Sequence, residues 1–234
     1  MDPKPSISKH FSNISSIYPE KISTWKNKVF LSFDIDWAHD EVLKDTILNG
    51  ETRIGLCIHR MIGGELDSGD IIARDYLNID ETTKVTRAWE WLNERIPALF
   101  LDAIKSLSID QDYILEKQSK QTSDAHRCYP RRPEDGRIDW QQSALRILRL
   151  INASNKPYAG AFCDYEGLHF VIWTAEIVND YENFSAVPGQ VTKIGGSYIE
   201  VACKDSKLRI LLAECSGTVD VPTAWVQSIR KRFT

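Results

Sequence analysis

Leu66-Asp67-Ser68-Gly69-Asp70 sets a carboxylate in a short turn between two apolar runs, 53–61 and 70–79. A carboxylate is competent to orient a base or assist removal of a proton, given partners that the turn alone does not supply. Plain turn chemistry is the alternative, because Asp-Ser-Gly also closes a turn through its own side chain. Asp34 and Asp36 are two apart on a run that alternates like a strand, so both project to one side. With His39 they offer three ligands to a divalent metal. Without a metal they are the acidic approach to a helix, which the helix dipole favours. Arg131 and Arg132 can clamp a phosphate or a carboxylate of a bound ligand, or pair with Glu134 and Asp135 a few residues on. His59 alternates with Cys57 and Met61, which reads as a half-buried strand residue rather than a catalyst.

The elements that must carry these residues follow from periodicity. Residues 28–35 alternate and are rich in aromatic and branched side chains, as a strand is. Val42, Leu43, Ile47 and Leu48 recur at helical intervals within 38–48, and Asn49-Gly50 is a suitable stop. Strands are expected over 53–61 and 70–79. Thr82 and Thr83 are candidate N-caps for a long helix whose apolar stripe is Val85, Trp89, Leu92, Ile96, Leu99 and Ala103. Trp91 falls off that stripe and is expected at an interface. Pro97 predicts a kink or a division into two helices. Beyond a polar stretch at 110–130, one helix is expected over 143–152, followed by strands at 162–165, 168–178, 190–194, 198–203 and 208–213. Arg230-Lys231-Arg232 reads as a solvated tail. An α/β layer followed by a small antiparallel β-barrel results.

Composition narrows the classes. Hydrophobic residues are 42% and charged residues 26%, a globular balance. The formal net charge is −4, so no global positive field draws in nucleic acid or an anionic membrane. Five cysteines without C-x-x-C spacing favour neither a disulfide framework nor a zinc site, and suggest a cytoplasmic setting. The opening Met1-Asp2-Pro3-Lys4-Pro5 has no apolar core of a signal peptide, and no run of 18 apolar residues occurs.

Two blocks carry a resemblance. Residues 51–61 (ETRIGLCIHRM) and 64–72 (GELDSGDII), with 129–140 (YPRRPEDGRIDW) and 150–162 (LINASNKPYAGAF), resemble in order the 10-formyltetrahydrofolate-dependent formyltransferases. That family includes the sugar-amine N-formyltransferases and methionyl-tRNA formyltransferase. The resemblance runs from about residue 46 to residue 213. It implies a partial Rossmann-like layer (46–109), a linker (110–130) and an OB-like barrel domain (131–234), preceded by a divergent segment (1–45).

The resemblance further implies an amine attacking a formyl carbon, with 10-formyltetrahydrofolate as donor and a nucleotide-linked amino sugar as acceptor. Such a reaction needs oxyanion donors and a proton acceptor. The family supplies these from an N-x-H motif and from an Asp about 35 residues later that orients the His and assists proton removal; the resemblance makes Asp67 that catalytic Asp, and no N-x-H run occurs in this sequence. Residues 30–41 (FLSFDIDWAHDE) instead resemble the opening strand of polysaccharide-deacetylase-like proteins, which implies a role for Asp34 and Asp36 in metal binding or proton transfer. From Ser123 onward 14 Lys and Arg stand against 13 Asp and Glu, too even a balance for a tRNA-docking face. An amino-sugar nucleotide is therefore the expected acceptor. The rival expectations are a non-catalytic binding or scaffolding remnant, a methionyl-tRNA formyltransferase-like protein, and a metal-dependent deacetylase-like fragment. A sheet without the family's first strands would need its edge covered by a homodimer or a partner chain.

Overall fold

The computed structural model describes residues 31–32, 37–62, 69–119, 128, 130–179 and 183–234. Among these, 31–32, 57–62, 69–73 and 100–119 fall in one compact unit, and the remainder in a second. A three-stranded sheet runs in the order β1 (Leu31–Ser32), β2 (Arg53–Arg60), β3 (Ile71–Asn78), with β1 and β2 antiparallel. Helix α1 (Trp37–Asn49) ends where it should. Gly50 sits at φ +70°, its N–H bonds the Ile47 carbonyl, and the Glu51 N–H bonds that of Thr46.

Helix α2 (Val85–Ile109) is one 25-residue helix rather than two, with Pro97 inside it. The carbonyl that proline leaves without a donor belongs to Asn93, which is exposed to water, so the break in the ladder is easily tolerated. Its buried face is broader than the expected stripe and takes in Ala88 and Trp91. The two tryptophans exchange their expected roles. Trp91 is 9% exposed and in the core, whereas half-buried Trp89 donates its indole N–H to the Tyr158 hydroxyl at 3.0 Å. Thr82 and Thr83 do not cap α2. Their hydroxyls bond the Asp80 carboxylate, which also accepts from the Thr82 N–H, and these bonds hold the Asp80 carboxyl below its usual range.

From residue 144 on, helix α3 (Ala144–Ala153) packs on an antiparallel sheet of β4 (Ala161–Tyr165), β5 (Leu168–Ile177), β6 (Val191–Ile194), β7 (Ile199–Ala202), β8 (Lys207–Cys215) and β9 (Thr218–Asp220). Ser143 caps α3 by accepting from the Arg146 N–H, and Asp205 accepts from the Ala144 N–H. Ile147, Leu148 and Ile151 form its buried stripe. The expected barrel is not closed by strand pairing. The strands trace an open path, β4-β5-β8-β7-β6, with β9 alongside β8. Nor are residues 231–234 a solvated tail. Asp164 and Thr234 exchange both backbone hydrogen bonds, the Phe233 N–H bonds the Gly189 carbonyl, and the Val191 N–H bonds that of Lys231. The segment thus reaches both outer strands without adding a stave of its own. Lys231, Arg232 and Thr234 are exposed while Phe233 is buried, and Lys231 pairs with Glu166.

The β5–β8 ladder shifts register around Trp173. An extra residue in one strand leaves its carbonyl out of the ladder. Here the Trp173 carbonyl is taken by Lys84 Nζ at 2.9 Å and Asn155 Nδ2 at 2.8 Å. Lys84 also bonds Thr174 Oγ1 at 2.8 Å, and partial burial lowers its pKa.

Three thiols, Cys163, Cys203 and Cys215, are buried. Burial, reinforced by Asp205, pushes the Cys203 thiol from 9.0 up to about 12, and burial raises Cys163 in the same direction. A thiol with a raised folded pKa contributes stability fully below its unfolded value, and that contribution is lost as pH climbs toward the folded value. Unfolding free energy is therefore expected to fall between pH 9 and 12 by about 1.4 kcal/mol per pH unit for each such thiol. Urea midpoints measured from pH 8 to 11 check this. The Cys203→Ala variant should show the shallower slope, and an unchanged slope would refute the assignment.

Candidate functional site

The loop bearing the Leu66 to Asp70 motif is anchored where the structure describes it. The Arg60 N–H donates to the Asp70 carbonyl at 3.0 Å, joining the end of β2 to the approach to β3. Gly69 lies so close to this junction that a Cβ there would stand 1.5 Å from the Arg60 carbonyl oxygen, so only glycine fits. Arg60 reaches out with its guanidinium to the Gln111 carbonyl at 2.8 Å, and Ile71 exchanges backbone bonds with Leu115 and Glu116. Residues 111–116 thereby brace both ends of the loop. His59 is half-buried, as expected, with Nδ1 3.3 Å from the Arg60 carbonyl oxygen. Asp67 itself lies outside the described residues, as do Asp34 and Asp36. His39 is placed by its backbone in the first turn of α1.

Arg131 and Arg132 lead into a 3-10 turn, Pro133–Gly136. The Arg131 guanidinium donates to the Asp135 carbonyl at 2.6 Å, and the Arg132 N–H donates to the Asp135 carboxylate at 2.7 Å. Asp135 thus meets Arg131 through its backbone carbonyl and Arg132 through that residue's backbone amide, contacts other than the side-chain ion pairs weighed in the sequence. The Arg132 side chain is exposed. Arg137, one residue past the turn, pairs with Asp164 at 2.6 Å and ties the turn to β4. Among the described residues no group of three His, Cys, Asp or Glu side chains could hold a metal ion. No described helix is long and apolar enough to cross a membrane.

Sequence reasoning missed two features. A cavity of about 250 Å³ opens where α1 ends, β3 ends and α3 passes, lined by Ile47, Gly50, Glu51, Thr52, Ile79, Asp80, Glu81 and Arg149. The Arg149 guanidinium lies against Gly50, and its Nε is sealed from solvent with no hydrogen-bond partner. A buried donor left unmatched costs about 1–3 kcal/mol. The second is the buried pair Glu41–Lys44 on α1, at 2.8 Å, with Lys44 Nζ 3.9 Å above the Tyr158 ring. Glu41 Oε2 has no partner. Beside this pair, burial and a hydrogen bond to Asp45 raise the Cys128 thiol to about 11, so it stays protonated and unreactive at neutral pH. The cavity had no local signal because it joins residues far apart in the chain; the Glu41–Lys44 spacing is local, but the Tyr158 ring that covers it is not. Nor is the cavity beside Arg149 a cradle for a reduced folate. It is small and carries acidic side chains, which oppose a glutamate tail.

Residues 131–226 match the family model described as formyl transferase, C-terminal domain. Among solved structures, HypX from Aquifex aeolicus in complex with tetrahydrofolic acid is 17% identical, with a TM-score of 0.59 over 81% of this chain and 32% of that one. A variant of the same HypX is 20% identical, with a TM-score of 0.58 over 81% of this chain and 34% of that one. WlaRD, a sugar 3N-formyl transferase studied in the presence of dTDP and 5-N-formyl-THF, is 16% identical, with a TM-score of 0.51 over 80% of this chain and 65% of that one. At these identities the likeness is one of fold. The chain spans about a third of the length of HypX.

Proposed function

We propose that this chain, whose residues 131–226 match the formyl transferase C-terminal domain model, serves formyl transfer from 10-formyltetrahydrofolate to the amine of a nucleotide-linked amino sugar. In this reading residues 46–109 belong to the catalytic layer and 131–234 to the C-terminal domain. The observation that carries it is the order of two features: the Leu66 to Asp70 loop, braced at both ends, comes first, and the matched domain follows. Asp67 orients the base that takes the amine proton, and exposed Arg132 meets a phosphate of the nucleotide. The near-neutral charge from Ser123 onward favours a sugar nucleotide over an aminoacyl-tRNA. The N-x-H pair lies outside this sequence, and the working assembly is cytoplasmic.

The test is to mix the protein with 10-formyltetrahydrofolate and dTDP-linked amino sugars, alone and with an N-x-H-bearing formyltransferase domain, and to follow the mass of the sugar. Transfer should appear with the added domain and fall roughly 10²–10⁴-fold in Asp67→Asn. A folded chain that neither binds folate nor supports transfer under either condition would refute the proposal. That result would favour the second reading, a non-catalytic binding subunit, which the absent N-x-H motif supports.

A further inference from the structure

The cavity at the end of α1 combines three chemistries that seldom meet by accident. Arg149 brings a guanidinium whose Nε is shut away from water with no acceptor. Native interiors rarely leave such a donor unmatched, and a bound partner is one of the explanations where one persists. Glu51 and Glu81 line the same cavity and are exposed, which puts two carboxylates at its mouth. Asp80 contributes less, since Thr82 and Thr83 already occupy its carboxylate. Ile47 and Ile79, both buried, supply an apolar wall. Gly50 lies beneath the guanidinium, and an ideal Cβ on it would stand 2.2 Å from Arg149 Cζ.

The charges decide what fits. A simple anion would meet Arg149 but be repelled by Glu51, Glu81 and the carbonyl end of α1. A simple cation would meet the carboxylates but be repelled by Arg149. A ligand carrying both signs a few ångströms apart satisfies both sets. We propose that this cavity binds a free α-amino acid with a small aliphatic side chain. Its carboxylate is forked by the Arg149 guanidinium, its ammonium faces Glu51 and Glu81, and its side chain lies on Ile47 and Ile79. A volume of about 250 Å³ admits a ligand of that size and excludes a nucleotide. The site is independent of the formyl-transfer reading, and neither stands or falls with the other.

L-alanine and L-valine are the probes, with sodium acetate and ethylamine as the single-charge controls, each titrated into the full chain while melting is followed by intrinsic fluorescence. The amino acids should raise Tm by roughly 5 °C at a hundredfold excess over Kd, and the controls should not. Arg149→Gln should weaken alanine binding roughly tenfold or more. Because loss of Arg149 also alters packing at the end of α1, Glu51→Gln/Glu81→Gln provides the second variant, at exposed positions that leave folding alone. It should weaken alanine roughly two- to fivefold. No shift with either amino acid, an equal shift with acetate, or undiminished alanine binding in the acidic-pair variant would each overturn the proposal.

Discussion

Phe233→Ala is expected to destabilise the β4–β9 sheet by about 3–5 kcal/mol, among the largest losses available to a single substitution in this protein. Phe233 is 1% exposed and stands among Trp140, Tyr165 and Phe170, with ring centroids 5.7, 4.8 and 5.2 Å away. Truncation therefore removes transfer energy and opens a cavity walled by rigid aromatic rings, which collapse poorly. It also loosens a backbone segment that engages Gly189 on one side and Asp164 on the other. Urea unfolding followed by tryptophan fluorescence reads the effect. Phe233→Leu should lose markedly less, and Arg232→Ala, one residue away with its side chain in water, should stay within about 0.5 kcal/mol. A Phe233→Ala midpoint matching that of Arg232→Ala would sink the assignment of this residue to the core.

Glu200→Ala should cost a similar amount by a different route. Glu200 is 1% exposed on β7. Its carboxylate accepts from Arg209 at 2.9 Å and lies 3.9 Å from Lys207 Nζ, whose side chain is 3% exposed. Removing the acid takes a carboxylate from Arg209 and from beside a lysine already withdrawn from water, and breaking a buried pair costs about 3–5 kcal/mol. Arg209 keeps Glu176 at 2.9 Å and so suffers less. The discriminating variant is the double replacement Glu200→Leu/Lys207→Met. If desolvated charge is the issue, removing both charges restores most of the loss. A double variant as unstable as Glu200→Ala would show that shape, not charge, governs the position.

Much of the fold was legible in local signals. The Asn49-Gly50 stop and the alternating runs at 53–60 and 71–78 each act within a few residues, so local pattern suffices to find them. Expectations failed where distant residues decided the outcome. Trp89 leaves the stripe for Tyr158, 69 positions on, while Trp91 joins a core widened by Ala88. Thr82 and Thr83 answer to the Asp80 carboxylate before they can cap α2. The last residues read as solvated because Arg230, Lys231 and Arg232 are charged, yet the backbone beneath them is claimed by β4 and the approach to β6. The site divides the same way. The Asp67 motif is contiguous and could be read, whereas the Arg60 brace needs residues 51 and 53 positions away and the Arg149 cavity needs three separate elements.

The order β4-β5-β8-β7-β6 carries a cost in time. β5 ends at Ile177 and its neighbour β8 begins at Lys207, with the β6–β7 hairpin between them. At a synthesis rate of roughly 5–20 residues per second, β5 waits roughly 1.5–6 seconds for its partner to be made. Through that interval Phe170, Val171, Ile172 and Trp173, all buried in the finished protein, form an apolar ribbon with one unpaired side. Such a ribbon is an aggregation template, and the non-local pairing that eventually covers it is intrinsically slow. Yield in the cell should therefore be limited at this step, and chaperones that shield nascent strands should matter more to this protein than its final stability suggests.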